Sequence, residues 1–415
     1  MATSAAIAPA RRNGAIGLTL MLSAMVLLNY VDRGALGIAA PKLKEELALS
    51  ATEFGLAVSA FSWIYAPAQF AVGWLLSRVC VFRLVAVGLL IWAAATTLTG
   101  FVSSLAMLVM LRVALGVGEG VAFPAASAII AAHVPDGRRG LANAVVSASL
   151  ALGPALGIFA GGMILATYGW RPIFFVFGLA TFVWLLPWLV ISRPHWQGDD
   201  AAGGRVRMNR VLAEPTVWRL GFAHFFNVYP FYFLLAWLPL FLVKSRGFTI
   251  VAMTELLTLV YLTQAASGLL LGWWSDRLVA AGRNEGRVRQ AILSVGLALI
   301  AVAILGAAFS VSPRALTWWL LLAAVGTGPG GTQAYAIAQI CAGRRAAGPV
   351  VGVMNGIGNT AGIVGPILTG VLVDHYHQNY VPAFAVAAAM PALGALMWYF
   401  GFARIEPLPR LQGAA

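Results

Sequence analysis

Twelve stretches of mainly apolar residues follow one another along this chain, near 14–38, 53–76, 82–102, 105–132, 140–166, 171–192, 217–243, 252–275, 289–310, 315–341, 347–373 and 380–403. Each comes close to the roughly 20 residues that a helix needs to cross the hydrocarbon of a bilayer. A span of that kind must satisfy its own backbone polar groups, and a helix does so internally. Composition agrees: 10% of the 415 residues are charged, against about 25% in a soluble domain. With a mean hydropathy of +0.86, there is too little polar surface to solvate a globule. The expectation is an all-α membrane protein of twelve transmembrane helices in two six-helix bundles.

The longest polar interruption runs from Arg193 to Arg219 and includes Pro194, Asp199-Asp200 and Gly203-Gly204. It divides the chain into an N-terminal bundle (1–192), a linker (193–216) and a C-terminal bundle (217–415). Of the 27 Lys and Arg residues, 19 fall in the even-numbered loops, the linker and the tails, and six on the opposite side. Basic loops stay cytoplasmic, which places both termini and the linker inside the cell. The net charge of +13 is then a topology signal, and nucleic acid is not needed to explain it. Arg11-Arg12 precede a stretch long enough to span, so no cleavable leader is read. Usage rich in Ala, Gly and Arg over Lys reads as a GC-rich bacterial genome, hence a bacterial inner membrane. Cys80 and Cys341 sit near cytoplasmic helix ends and read as ordinary thiols, not a disulfide.

The halves repeat. Gly73-Trp74-Leu75-Leu76-Ser77-Arg78 closes the second stretch, and Gly272-Trp273-Trp274-Ser275-Asp276-Arg277 closes the eighth. Gly137-Arg138-Arg139-Gly140 is echoed by Gly343-Arg344-Arg345, and Gly153-Pro154-Ala155-Leu156-Gly157 by Gly365-Pro366-Ile367-Leu368. Correspondences in the same order describe parallel repeats about an axis along the membrane normal.

Two stretches carry charges at membrane depth, where ionisable groups are costly and mark function. The first holds Asp32-Arg33; the fourth holds Arg112 and Glu119, seven residues apart and on one helix face. Neighbouring helical residues diverge by about 100°, so one of Asp32 and Arg33 faces a central cavity and the other a neighbouring helix. Arg33 is the candidate for an anionic substrate group, because guanidinium stays charged and grips a carboxylate in bidentate fashion. Asp32 and Glu119 are the proton candidates, with Arg112 as their partner. Arg112 and Glu119 lie about 10 Å apart along the helix, too far to pair directly. Each is expected to reach across to the first span, Glu119 to Arg33 while no substrate is bound.

Neutral hydrogen-bonding groups complete a cavity. Tyr65 lies just before Pro67; Asn227, Tyr229 and Tyr232 surround Pro230; Thr332 and Tyr335, like Asn355 and Asn359, lie one turn apart. Other features read as bland. His375-x-His377 falls in an external loop with only Asp374 nearby, and His224 reads as a helix-end residue. Gly116, Gly118 and Gly120 follow no strand, so they read as packing positions in the fourth helix. No cofactor, metal, nucleophile or paired acid and base at one depth is evident, so an enzyme is not expected.

Over nearly its whole length the sequence resembles the major facilitator superfamily, whose signature loop is similar to the turns after stretches two and eight. Asn29-Tyr30-Val31-Asp32-Arg33, the run from Arg112 to Glu119, and Asn355-Gly356-Ile357-Gly358-Asn359-Thr360-Ala361-Gly362-Ile363-Val364-Gly365-Pro366 together resemble the anion:cation symporter family. That family includes bacterial sugar-acid transporters. The resemblance implies a substrate-binding arginine at Arg33 and contacts at Tyr65, Tyr335 and Asn355. To these we add Asn29 and Tyr232. It also implies a gate at the signature loops, with Arg78, Asp276 and Arg277. Here the usual acidic residue of the first loop is Ser77, and Cys80 replaces the usual Gly. The expected function is proton-coupled symport of a small organic anion, such as a sugar acid, by a monomer. A drug:proton antiporter of the same fold is the alternative, kept open by Gly153-Pro154.

Overall fold

The computed structural model describes residues 9–75, 79–134, 136–192 and 208–412. Among these residues there are helices and no strand. Ten helices are both long and apolar enough to cross a membrane. Helix Ala51–Leu75 and residues 313–342 of a longer helix occupy the second and tenth places in the series. The order of the twelve spans therefore matches the apolar pattern of the sequence.

Span one comprises Pro9–Arg33 and Ala35–Glu46, so it runs eight residues past its expected end at 38. The extra turns carry Lys42, Lys44, Glu45 and Glu46, so the apolar pattern stops before the helix does. Span three is Val81–Thr99; span four comprises Leu105–Glu119 and Ala122–His133; span five is Asp136–Tyr168; span six is Arg171–Ser192. In the second half, span seven is Pro215–Leu240, which runs through Pro230 and ends in a π-helical turn, Phe241–Ser245. Span eight (Ile250–Ala280) also outruns its expected end, and span nine is Glu285–Phe309. Spans ten and eleven form one long helical run, Pro313–Asn359, continued by Ala361–His375. Gly343 divides it with φ 65°, a left-handed conformation that glycine adopts without steric cost. Span twelve is Val381–Phe400.

Local chemistry explains several starts. The side-chain oxygens of Ser104, Thr249, Asn284 and Ser312 accept from backbone N–H groups three residues on. Each satisfies a donor that the first helical turn would otherwise leave orphaned. Three interruptions share another property. The breaks at Gly34, Gly120–Val121 and Thr360 directly follow Arg33, Glu119 and Asn359. Irregular helix often marks functional positions.

Between helices the packing depends on small residues, as in membrane bundles generally. Gly88 faces Gly118 where span three meets span four, and Gly296 faces Gly326 where span nine meets span ten. Both partners of the second pair lie 208 positions after their counterparts, so the internal repeat extends to packing. A side chain at Gly116 would strike the backbone of Phe61, in line with the reading of these glycines as packing positions. Large apolar side chains such as Val87, Leu186, Leu269 and Val295 cover the outside, where a lipid solvent accommodates them.

The two halves meet closely on the membrane face away from the termini. There Gly37 abuts the carbonyl of Leu235, Gly55 that of Pro366, and Gly370 that of Ala51. Asp374, at the end of span eleven, caps the start of span two. Its Oδ1 accepts from Ala51 N at 3.0 Å, and its Oδ2 accepts from Thr52 N and Thr52 Oγ1, each at 2.7 Å. Lys244 pairs with Glu45 at 3.0 Å between spans seven and one. Arg171 pairs with Glu46 at 2.7 Å and donates to the carbonyls of Gly100 and Val102, which ties the ends of spans one, three and six.

Candidate functional site

The site forms where the helix breaks of spans one and four come together. Arg33 is buried, its side chain 7% exposed, and its guanidinium lies against three rings. It stands 4.9 Å from the Tyr30 centroid, 5.3 Å from Phe61 and 4.5 Å from Tyr65. Its Nε donates to Asn29 Oδ1 at 3.2 Å and lies 3.4 Å from Glu119 Oε2. Asn29 sits one turn before Arg33 and so holds the guanidinium from the same helix face.

Asp32 points elsewhere. Its Oδ2 accepts from Trp92 Nε1 at 2.7 Å and from Thr96 Oγ1 at 2.6 Å, both on span three. The divergence of Asp32 and Arg33 expected from helix geometry is present. Trp92 and Thr96 had not been singled out in the sequence. They lie four residues apart in an apolar span, one face of a helix, and that spacing is the signal that could have found them.

Arg112 corrects an expectation. It was to pair with a carboxylate of span one, but among the described residues it has no ion pair within 4 Å; its guanidinium lies 5.1 Å from the Phe61 centroid. Asp32 is turned away to span three, so no carboxylate of span one reaches Arg112. Arg33 Nη2, Arg112 Nε, Asn29 Nδ2 and both oxygens of Glu119 are buried with no hydrogen-bond partner. Buried polar groups are nearly always partnered, so this concentration of unmet donors and acceptors is the main anomaly of the interior. A cavity of about 30 Å³ lies among them, lined by Arg33, Phe61, Arg112, Glu119 and Tyr232, with Leu235 and Ala236 on the far wall. One water needs about 10–15 Å³ of such space, so the cavity has room for two or three waters. In this closed arrangement a larger solute enters only after the helices part.

The C-terminal half contributes a neutral network. Tyr232 donates to Asn359 Oδ1 at 2.7 Å, Asn359 Nδ2 donates to the carbonyl of Asn355 at 2.8 Å, and Tyr335 donates to Asn355 Oδ1 at 2.9 Å. Tyr232 alone of these lines the cavity beside Arg33; Tyr335 and Asn355 bond each other, one layer behind it. Tyr65 stacks on Phe61 at 4.8 Å beneath Arg33. Asn227 donates to the carbonyl of Gly330. Tyr229, packed by Gly365, and Thr332, bonded to its own helix, stay out of the cavity wall.

His224 is a second correction. It lies well inside span seven, 2% exposed, packed on Gly358 and bonded to Asn227 at 3.4 Å. The helix begins nine residues earlier at Pro215, so it is not a helix-end residue. Of the gating candidates, Asp276 pairs with Arg289 at 3.1 Å, and Arg277 lies over the Trp273 ring at 4.2 Å. Ser77 and Arg78 lie outside the described residues, as do the side chains of Arg138, Arg139, Arg344 and Arg345. Neither Cys80 nor Cys341 is in a disulfide. Asp374, near the two loop histidines, is engaged by span two.

A family model described as Major Facilitator Superfamily matches residues 22–284 and 220–415. The chain is 29% identical over 403 residues to a probable sulfoacetate transporter of Cupriavidus necator, covering 92% of each. It is 27% identical to a D-galactonate transporter of Escherichia coli, covering 91% of this chain and 93% of that one. In structure it resembles a bacterial homologue of the human lysosomal transporter Spinster, solved inward-facing and unoccupied. The TM-score is 0.78 at 19% identity, over 95% of this chain and 97% of that one.

Proposed function

The chain belongs to the major facilitator superfamily, a family of transporters and not of enzymes, and we propose that it is a proton-coupled symporter carrying a small organic anion inward by alternating access. The observation that carries this reading is Arg33: a buried guanidinium with an unpartnered Nη2, beside a cavity and in contact with a single carboxylate. A desolvated carboxylate requires such an opposite charge with oriented donors. The relatives named above are a probable sulfoacetate transporter and a D-galactonate transporter, and both compounds are organic anions.

In this scheme Glu119 occupies Arg33 until a proton neutralises it, which frees the guanidinium for substrate. Asp32 holds a second proton site against span three, and Arg112 shares the cavity wall with Glu119. Asn29 and Tyr65 orient Arg33. Tyr232, backed by Asn359, Asn355 and Tyr335, supplies neutral hydrogen bonds from the other half. The bundles 1–192 and 217–415, joined by the linker 193–216, rock about this site as parallel repeats do. Arg78, Asp276 and Arg277 act at the cytoplasmic gate of a bacterial inner-membrane protein with both termini inside. The transporter works as a monomer.

Purified protein in proteoliposomes tests the proposal. Uptake of a sugar acid or sulfonated acid, selected by thermal shift at two pH values, is expected to accumulate under an inward proton gradient. Uptake that ignores pH and membrane potential but follows sodium would remove the proton assignment. Preference for lipophilic cations would remove the anion assignment.

A further inference from the structure

We infer that the site takes a dianion: a short organic acid with two anionic groups, carboxylate or sulfonate, one held by Arg33 and the other by Arg112. The inference rests on the reading of Arg33 as the anion anchor and extends it to the chemistry of the far end of the substrate.

Two observations carry it. The first is that Arg112 is a buried guanidinium with no carboxylate in contact. It is 8% exposed, lines the same cavity as Arg33, keeps an unpartnered Nε, and among the described residues has no ion pair. A buried charged group whose donors are unmet is costly, so a position of this kind suits a ligand that supplies the missing contact. The second is placement. Arg33 and Arg112 both lie against the Phe61 ring, at 5.3 and 5.1 Å from its centroid. Both are within cation–π range of one ring, so their guanidinium carbons are no more than about 10 Å apart. An acid whose two anionic ends are separated by a few atoms is short enough to reach both from the cavity they share.

The charges in reach agree. Asp32 is bonded to Trp92 and Thr96 on span three, so it is not a close partner of either guanidinium. That leaves Glu119 as one carboxylate for two arginines on the cavity wall. Protonation of Glu119 leaves two positive groups facing the cavity, and a monoanion compensates only one. The wall contributed by span seven is Tyr232, Leu235 and Ala236, which adds no charge. Both ends of the dianion therefore bind the N-terminal half, and the other half closes over its neutral middle.

The test is calorimetry and thermal shift on the full chain in detergent at neutral pH, with matched probes. Succinate, glutarate and sulfoacetate are compared with butyrate, gluconate and methanesulfonate. At least tenfold tighter binding of the dianions is expected, and in a folded Arg112→Gln variant the ratio of dianion to monoanion affinity is expected to fall to near one. Should that variant not fold, Arg112→Lys replaces it. Lysine keeps a charge but lacks the planar fork, so the ratio is expected to fall several-fold, and an unchanged ratio overturns the assignment. Equal affinity for both probe sets, or a ratio that survives in folded Arg112→Gln, also overturns it. Binding of gluconate or butyrate without the diacids removes this inference and leaves the anion-transport reading intact. No binding of any probe removes both.

Discussion

The Nε of Arg33 and the Oε2 of Glu119 stand 3.4 Å apart in the protein interior, and neither Glu119 oxygen has a hydrogen bond. A buried ion pair repays its desolvation only when geometry is good and the remaining polar atoms are satisfied. Neither condition is met here. The contact is suited to being exchanged: a proton can take Glu119, or an anion can take Arg33. The helix breaks directly after both residues place this contact where two helices have room to adjust.

Glu119→Gln imitates the protonated carboxyl. The variant is expected to bind substrate and to exchange it across a proteoliposome membrane, while failing to accumulate it under a proton gradient. Counterflow and gradient-driven uptake, measured side by side on the folded variant, separate the two activities. Loss of both together would assign Glu119 to binding.

Arg33 is expected to set affinity. Removing one partner of a buried, hydrogen-bonded charge pair costs about 2–5 kcal/mol, which corresponds to roughly 30-fold to several thousand-fold in Kd. Arg33→Ala should show that loss by calorimetry once monodispersity is confirmed. Arg33→Lys keeps the charge but not the fork that meets a carboxylate, so it too should bind weakly. Parent-like affinity in Arg33→Ala would move the anion site elsewhere.

The fold was legible because lipid imposes one rule on every span: about 20 apolar residues, read directly from the sequence. Asp32, Arg33, Arg112 and Glu119 were legible for the converse reason, since charge at that depth is rare. What escaped were relations between helices. The four-residue spacing of Trp92 and Thr96 marks a polar helix face, but nothing local says that span one brings a carboxylate to it. The pairing of Arg112 with a carboxylate of span one was misjudged because helix rotation decides whether Asp32 reaches it. His224 was read as a helix-end residue although its span was expected from 217, and the helix, starting at Pro215, carries it two turns inside. The ends of span one were missed where a helix continues past its apolar pattern on charged residues.

Trp92 and Thr96 are expected to matter through Asp32. Each donates to Asp32 Oδ2, at 2.7 and 2.6 Å, and hydrogen bonds to a charged group contribute about 1.5–3 kcal/mol. Trp92→Phe and Thr96→Val each remove one donor while keeping much of the shape. Each single variant should lower the thermal stability of purified protein, and the double variant should show coupling, because both bonds end on one oxygen. Additive losses would mean that the two side chains act as independent packing residues.

Asp374 links span eleven to the first turn of span two through three hydrogen bonds. A carboxylate at a helix N-terminus gains about 0.3–2 kcal/mol from the helix dipole, and here the two helices belong to different halves. Asp374→Asn loses the charge and one acceptor oxygen. It is expected to shift the population toward the state open on that face. Spin labels on the ends of spans two and eleven away from the termini should report longer distances in the variant; an unchanged distribution would make Asp374 a cap without a gating role.

Gly55 tests the same closure by shape instead of charge. In this arrangement it lies against the carbonyl of Pro366, and a Cβ there would strike that backbone oxygen. Backbone cannot swing aside as a flexible side chain can, and overpacking of a tight contact costs about 1–3 kcal/mol. The contact is between halves, so opening that face relieves it without unfolding either bundle. Gly55→Ala is therefore expected to melt near the parent temperature while favouring the open face, seen as faster labelling of a cysteine placed among the cavity-lining residues from the side away from the termini. Gly116→Ala makes the control, because its clash with Phe61 lies between spans two and four of one bundle and parting of the halves leaves it in place. That variant should lose thermal stability without a change in labelling. If Gly55→Ala instead lost stability as Gly116→Ala does and labelled like the parent, the contact at Pro366 would be a fixed part of the fold and not a surface that parts during transport.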